Sequence, residues 1–134
     1  MTTRWRPEFD PGHLYFVTTT AAARTRIFQR EIVKRILVDG LYYVSLMNQV
    51  GLYAWVVMPN HLHALVQCPP DGPPAAWSRA LKTSTSQLIV RMYQVDRNRD
   101  ALESLEALVG RPEKQRYKVW EDGYLAKSVI TPGF

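Results

Sequence analysis

The sequence predicts an α+β fold, an antiparallel sheet with two helices packed on one face. Three observations predict it. Two strand-like runs, 51–58 (GLYAWVVM) and 61–68 (HLHALVQC), are separated only by Pro59-Asn60, the length of a tight hairpin loop. A segment with apolar residues at helical spacing precedes the pair and another follows it. Aromatic and β-branched runs stand near both ends of the chain.

The elements follow in order. Residues 13–20 (HLYFVTTT) come after Pro11-Gly12 and read as the first strand. From about residue 29 to 48, Ile32, Ile36, Leu37, Leu41, Val44 and Met47 recur at helical spacing, with Gly40 as a local weakness. The hairpin comes next, and PPDGPP at 69–74 ends its second strand. Residues 75–94 form the second helix, with Trp77, Leu81, Leu88 and Met92 on an apolar stripe and Ser78, Arg79, Lys82 and Ser86 on a polar one. The charged stretch 96–116 is read as part helical and exposed, and 117–130 as the last strand, with a break at Asp122-Gly123. The order β-α-β-β-α-β is the ferredoxin-like arrangement. At 134 residues, 46% of them apolar, the chain is expected to be one domain, residues 1–134.

Seventeen Lys and Arg against twelve Asp and Glu give a net charge of +5, an excess that suits a polyanion partner. One cysteine, Cys68, excludes an internal disulfide framework, and the first residues lack the apolar core of a signal peptide. A cytoplasmic location is expected. Residues 40–70 contain no Asp, Glu, Lys or Arg. Asn48, Gln49, Pro59, Asn60 and two histidines interrupt that run too often for a membrane span of about 20 apolar residues. The run therefore reads as the centre of a soluble core, with the histidines in its most buried part or in a cleft cut into it.

Those histidines, His61 and His63, lie two positions apart on the second hairpin strand. Alternation places both on one face with Leu65 and Gln67, and Leu62, Ala64 and Val66 on the other. Their Cα atoms should stand about 6–7 Å apart, near enough for two imidazoles to converge on one transition-metal ion. A His-x-His pair also serves as hydrogen-bonded packing, and spacing alone does not separate the two readings. A buried polar pair left unsatisfied costs a few kcal/mol, which favours a use for it.

In order and spacing, YFVTTT, YAWVVMPNHLHALVQ, the basic helix containing LK, and VWEDGYLAKSV resemble the HUH-type single-tyrosine transposases of the smallest bacterial insertion sequences, including the REP-associated tyrosine transposases. The resemblance spans about residues 12–129. It implies that His61 and His63 ligate a divalent metal, Mg²⁺ or Mn²⁺, which polarises a phosphate of single-stranded or hairpin DNA. It implies further that a tyrosine attacks, leaving a 5′-phosphotyrosine and a free 3′-OH, and that the protein works as a homodimer. Family members carry the tyrosine on a helix after the last strand, with another polar metal ligand one turn later. No residue here matches it, so the nucleophile is expected beyond Phe134, and Tyr93, Tyr117 and Tyr124 are not given that role.

Lys82 matches a basic position of the family. With Arg79 and Arg91 on an acid-free helix and Arg24 and Arg26 after the first strand, it could track phosphates, while Trp120 and Tyr124 could stack on bases and Asn60 could contact the DNA backbone. The same residues serve equally as a solvated face, sheet packing and a turn. Two further readings stay open: a non-catalytic protein, domesticated or decayed, that binds hairpin or single-stranded DNA, and a small metal hydrolase. The hydrolase is disfavoured because no Asp or Glu lies near the histidines in sequence.

Overall fold

A computed structural model describes residues 12–129. The elements run β1 (Leu14–Thr20), α1 (Glu31–Met47), β2 (Gly51–Met58), β3 (His61–Gln67), α2 (Pro74–Val95), α3 (Arg99–Ala107) and β4 (Leu125–Val129), with two short 3-10 turns between β1 and α1. The four strands form one antiparallel sheet in the order β2-β3-β1-β4, as the ferredoxin-like reading expects.

Helices cover one face of the sheet. Tyr15, Val17 and Thr19 of β1 and Leu62, Ala64 and Val66 of β3 point into that layer and are buried. They meet Val33, Leu37, Leu41 and Val44 of α1 and Trp77, Leu81 and Ile89 of α2. Local chemistry supports the helix starts: Glu31 lies in the first turn of α1, Pro74 opens α2, and the Asn98 side chain accepts the Ala101 amide at 3.1 Å to begin α3.

Polar contacts between the layers are few and specific. The Trp77 indole donates to Ser45 Oγ across α1 and α2, and the Trp120 indole donates to Thr85 Oγ1, each at 3.0 Å and buried. These bonds explain why the buried stripe of α2 differs from the expected one. Ser78 and Thr85 are buried, whereas Leu88 is 48% exposed. Small side chains let α2 approach α1, where Gly40 lies under Thr85. On α1, likewise, Ile32 and Met47 face outward instead of joining the stripe.

Two further expectations need correction. The last strand is only Leu125–Val129, and Ile130 lies outside the described residues. Residues 117–124 cross over the sheet end instead: Trp120 makes an isolated bridge with Ala21, and the chain turns at Asp122-Gly123, where Gly123 has φ +79°. The uncharged run 40–70 is not the centre of the core. β2 is an edge strand with Tyr53, Trp55, Val56 and Met58 exposed, and the histidines lie part-buried on the sheet face that the helices leave open. Among the described residues no helix is long and apolar enough to cross a membrane.

Candidate metal centre and nucleic-acid interface

β3 lies between β2 and β1, so His61 and His63 are held by ladders on both sides. His63 is opposite Thr18 of β1 and Val56 of β2, and His61 is opposite Thr20 and Met58. Leu62, 1% exposed, anchors the strand between them from the helix side. The alternation expected from the sequence is present, and the imidazole centroids are 4.7 Å apart with the rings at 77°.

Each ring has a partner at Nδ1. His61 Nδ1 is 2.8 Å from Asn60 Oδ1, and His63 Nδ1 is 2.8 Å from Thr18 Oγ1. Phe16 stacks on His63 with centroids 5.1 Å apart. Burial, and secondly the neighbouring His61, push the His63 pKa below the ordinary histidine value, which favours the neutral ring that a cation needs. With both Nδ1 atoms engaged, the two Nε2 atoms are the available donors. This donor set fits part of a divalent-cation site. No cluster of three or more His, Cys, Asp or Glu occurs among the described residues, so other ligands would come from water, phosphate or elsewhere.

The turn before His61 is fixed from the β1–α1 connection. The Ala21 amide donates to the Asn60 carbonyl at 2.9 Å, and the Phe28 amide to the Pro59 carbonyl at 3.0 Å. Asn60 Nδ2 reaches the Arg24 carbonyl at 3.5 Å. Ala23 and Arg24 adopt positive φ, and residues 119–121 hold this connection from its other side: Ala22 donates to the Val119 carbonyl, and the Ala23 amide to the Glu121 carboxylate. Arg24 and Arg26 are exposed on this connection, so the structure places them with Asn60 at the His61 end of β3.

The other basic and aromatic residues gather elsewhere. Arg79, Lys82, Trp120 and Tyr124 line one cleft of about 730 Å³ between the first half of α2 and residues 115–124. The inward-facing Tyr15 and Ala126 also line it, so it opens on the helix side of the sheet, opposite the histidines. Arg79 is exposed. Lys82 Nζ donates to the backbone carbonyls of Glu121, at 2.8 Å, and Gly123, so it ties the crossover to α2. Burial pulls its ammonium below the ordinary lysine range, against the Asp122 and Glu121 carboxylates. Trp120 is 5% exposed, packs against Phe28 and donates to Thr85, which is a core environment. Tyr124 is half-buried at the rim, and Arg91 is exposed outside the cleft.

Reading the sequence overlooked Thr18, Phe16 and Lys118. The first two belong to the outward set Leu14, Phe16, Thr18 and Thr20 of β1, which alternation alone defines. Their pairing with His63 needed the β1–β3 register. Lys118, on the cleft wall, is 3.6 Å from Asp122.

Comparison with known proteins agrees with this arrangement. The model of the family described as "Transposase IS200 like" matches residues 12–105. Among solved structures, a REP-associated tyrosine transposase bound to a REP hairpin superposes with a TM-score of 0.67 at 14% identity, covering 97% of this chain and 64% of that one. This chain thus spans about two thirds of that protein's length. A candidate transposase from Deinococcus radiodurans R1 superposes with a TM-score of 0.63 at 21% identity, covering 95% of this chain and 85% of the other. At these identities the two superpositions establish the shared fold. No curated protein sequence matches. The family match extends over more than half of the chain and includes the histidine strand, and by it the chain belongs to the IS200-like transposase family.

Proposed function

We propose that this chain is the metal-binding part of a DNA transposase that cuts and rejoins single-stranded or hairpin DNA through a 5′-phosphotyrosine intermediate. The observation that carries the reading is the His61–His63 pair on the open sheet face, each with Nδ1 engaged and Nε2 available. The hairpin DNA bound by the REP-associated tyrosine transposase supports DNA of that kind as the partner. A bound Mg²⁺ or Mn²⁺ would supply Lewis-acid stabilisation of charge on the phosphoryl oxygens.

The chain's own residues do the rest of what this reading assigns here. His61 and His63 present the nitrogen donors, and Leu62 fixes their strand from below. Arg24 and Arg26 beside Asn60 offer positive charge at the metal end of the sheet, where a phosphodiester would lie. Arg79 and Tyr124 offer a second contact with the strand along the cleft, while Lys82 and Trp120 build its wall. The attacking tyrosine is assigned to none of the described residues. Exposed Tyr42, Tyr43, Leu46 and Met47 on α1, with exposed Trp55 of the edge strand edge-on to Tyr42, support a homodimer.

The test is Mn²⁺ titration of this chain, followed by incubation with hairpin-bearing single-stranded DNA and Mn²⁺ and a denaturing gel. Mn²⁺ binding that is lost in His61→Ala/His63→Ala is expected, with no covalent protein–DNA adduct, because none of the described residues is assigned as the attacking tyrosine. Unchanged Mn²⁺ affinity in that double variant would sink the ligand assignment, and an adduct that is lost in Tyr124→Phe would overturn the placement of the nucleophile. Hairpin binding without Mn²⁺ binding would favour the non-catalytic DNA-binding reading.

A further inference from the structure

Asn60 reaches the histidine pair through a contact that is informative about protons. Its side-chain oxygen can only accept, and it lies 2.8 Å from His61 Nδ1. The amide could be oriented the other way round, but Nδ2 then would no longer face the Arg24 carbonyl, 3.5 Å away, and two oxygens would meet. The contact with the β1–α1 connection favours this orientation, and in it His61 Nδ1 is the donor. A neutral imidazole carries one proton, so Nε2 of His61 bears a lone pair. This is the tautomer that a free histidine in water populates less.

The contact is held in place beforehand. The Asn60 backbone carbonyl accepts from Ala21 at 2.9 Å, and the preceding carbonyl, of Pro59, accepts from Phe28 at 3.0 Å. Asn60 thus stands on a turn bonded to a neighbouring segment, and its side chain is aimed before any ligand arrives. His63 is treated differently. Its partner, the Thr18 hydroxyl at 2.8 Å, can donate or accept, so it holds the ring without choosing the tautomer, and Phe16 stacked at 25° fixes the ring plane.

We propose that Asn60 and Thr18 are positioning residues for the histidine pair: Asn60 locks His61 as the Nδ1-protonated tautomer with Nε2 open to a cation, and Thr18 with Phe16 holds the plane of His63. The tautomer lock rests on this structure alone, whereas its use in holding a cation rests on the proposed function. Partners of this kind orient metal-binding imidazoles, and their loss typically weakens metal affinity about 10- to 100-fold.

The experiment separates the two. Long-range ¹H–¹⁵N correlation spectra of the metal-free, ¹⁵N-histidine-labelled full chain, at mildly alkaline pH, report which nitrogen of His61 carries the proton. The expected result is Nδ1–H in the parent, Nε2–H in Asn60→Ala, and Nδ1–H again in Asn60→Asp, which restores an acceptor. An Nε2–H tautomer in the parent overturns the proposal, and needs no variant to be seen. An unchanged tautomer in the folded Asn60→Ala protein overturns it as well. Mn²⁺ titration then follows. A loss of about tenfold or more in Asn60→Ala and in Thr18→Val, with rescue by Asn60→Asp, is expected. Equal affinity in all of these proteins overturns the positioning role, whereas a parent that binds no Mn²⁺ overturns the metal reading and leaves the tautomer result standing.

Discussion

Gly40→Ala sets two effects of opposite sign against each other. In an exposed helix interior the change should stabilise by about 1 kcal/mol, because glycine surrenders more backbone entropy. Here a Cβ on residue 40 would stand 2.7 Å from Thr85 Cγ2, closer than two carbon atoms tolerate. Thr85 cannot swing aside at low cost: it is fully buried, its hydroxyl donates to the Leu81 carbonyl at 2.7 Å, and it accepts the Trp120 indole at 3.0 Å. Overpacking a well-filled contact costs roughly 1–3 kcal/mol. The net expectation is a loss of about 0–2 kcal/mol. A second substitution makes the argument specific. Thr85→Ser removes Cγ2 and keeps the hydroxyl, so the new Cβ of residue 40 would fill the space vacated. Urea unfolding of the parent, both single variants and the double variant gives the coupling energy, which should favour the double variant by about 1 kcal/mol or more, within the range for residues in contact. A Gly40→Ala protein more stable than the parent by the full helix-propensity gain, with additive behaviour in the cycle, would refute the close packing of α1 on α2.

Three other outcomes follow from single groups. Thr19 is 2% exposed and its hydroxyl meets no partner among the described residues, so Thr19→Val should be neutral or stabilising by up to about 1 kcal/mol, and a clear loss in thermal unfolding would mean that the hydroxyl is satisfied. Burial pushes the Cys68 thiol up to about 11, so alkylation at neutral pH should be slow in the folded protein and rapid in denaturant; equal rates would contradict its burial. The folded His63 binds its proton less readily than the ordinary value of 6.5, so the unfolded chain protonates first as pH falls. Its contribution to stability is therefore constant above that value and declines below it, and an NMR titration midpoint for His63 at or above 6.5 would contradict the sign.

Much of the histidine site was legible because it depends on local periodicity. Two residues two positions apart on a strand share a face whatever the rest of the chain does, and the tight Pro59-Asn60 connection placed that strand in a hairpin. The element order was legible for the same reason, since α1, α2 and the strand pair each carry their own period. The end of the chain was harder to read. Trp120 looks like a strand residue, and it does bridge Ala21, yet Gly123 at φ +79° turns the backbone before β4 begins. The two sides of that glycine share composition and differ only in what they pair with.

What stayed hidden depends on contacts between distant segments. An uncharged run avoids water on average, but no local pattern tells which face of a strand the helices will cover. β3 carries apolar Leu62, Ala64 and Val66 on one side and the histidines with Leu65 on the other, and only the crossover of α1 and α2 buries the first set. The histidines consequently face outward from the sheet instead of sitting in its core. The same logic separates Lys82 from Arg79. Three positions apart on one helix, they look equivalent in a basic stripe, yet the crossover supplies carbonyls to Lys82 and leaves Arg79 exposed. A lysine that satisfies two backbone carbonyls stabilises the wall of the cleft; an arginine three positions earlier stays exposed to solvent. The division of labour between them is a property of the 117–124 crossover, and so it could not be read from α2.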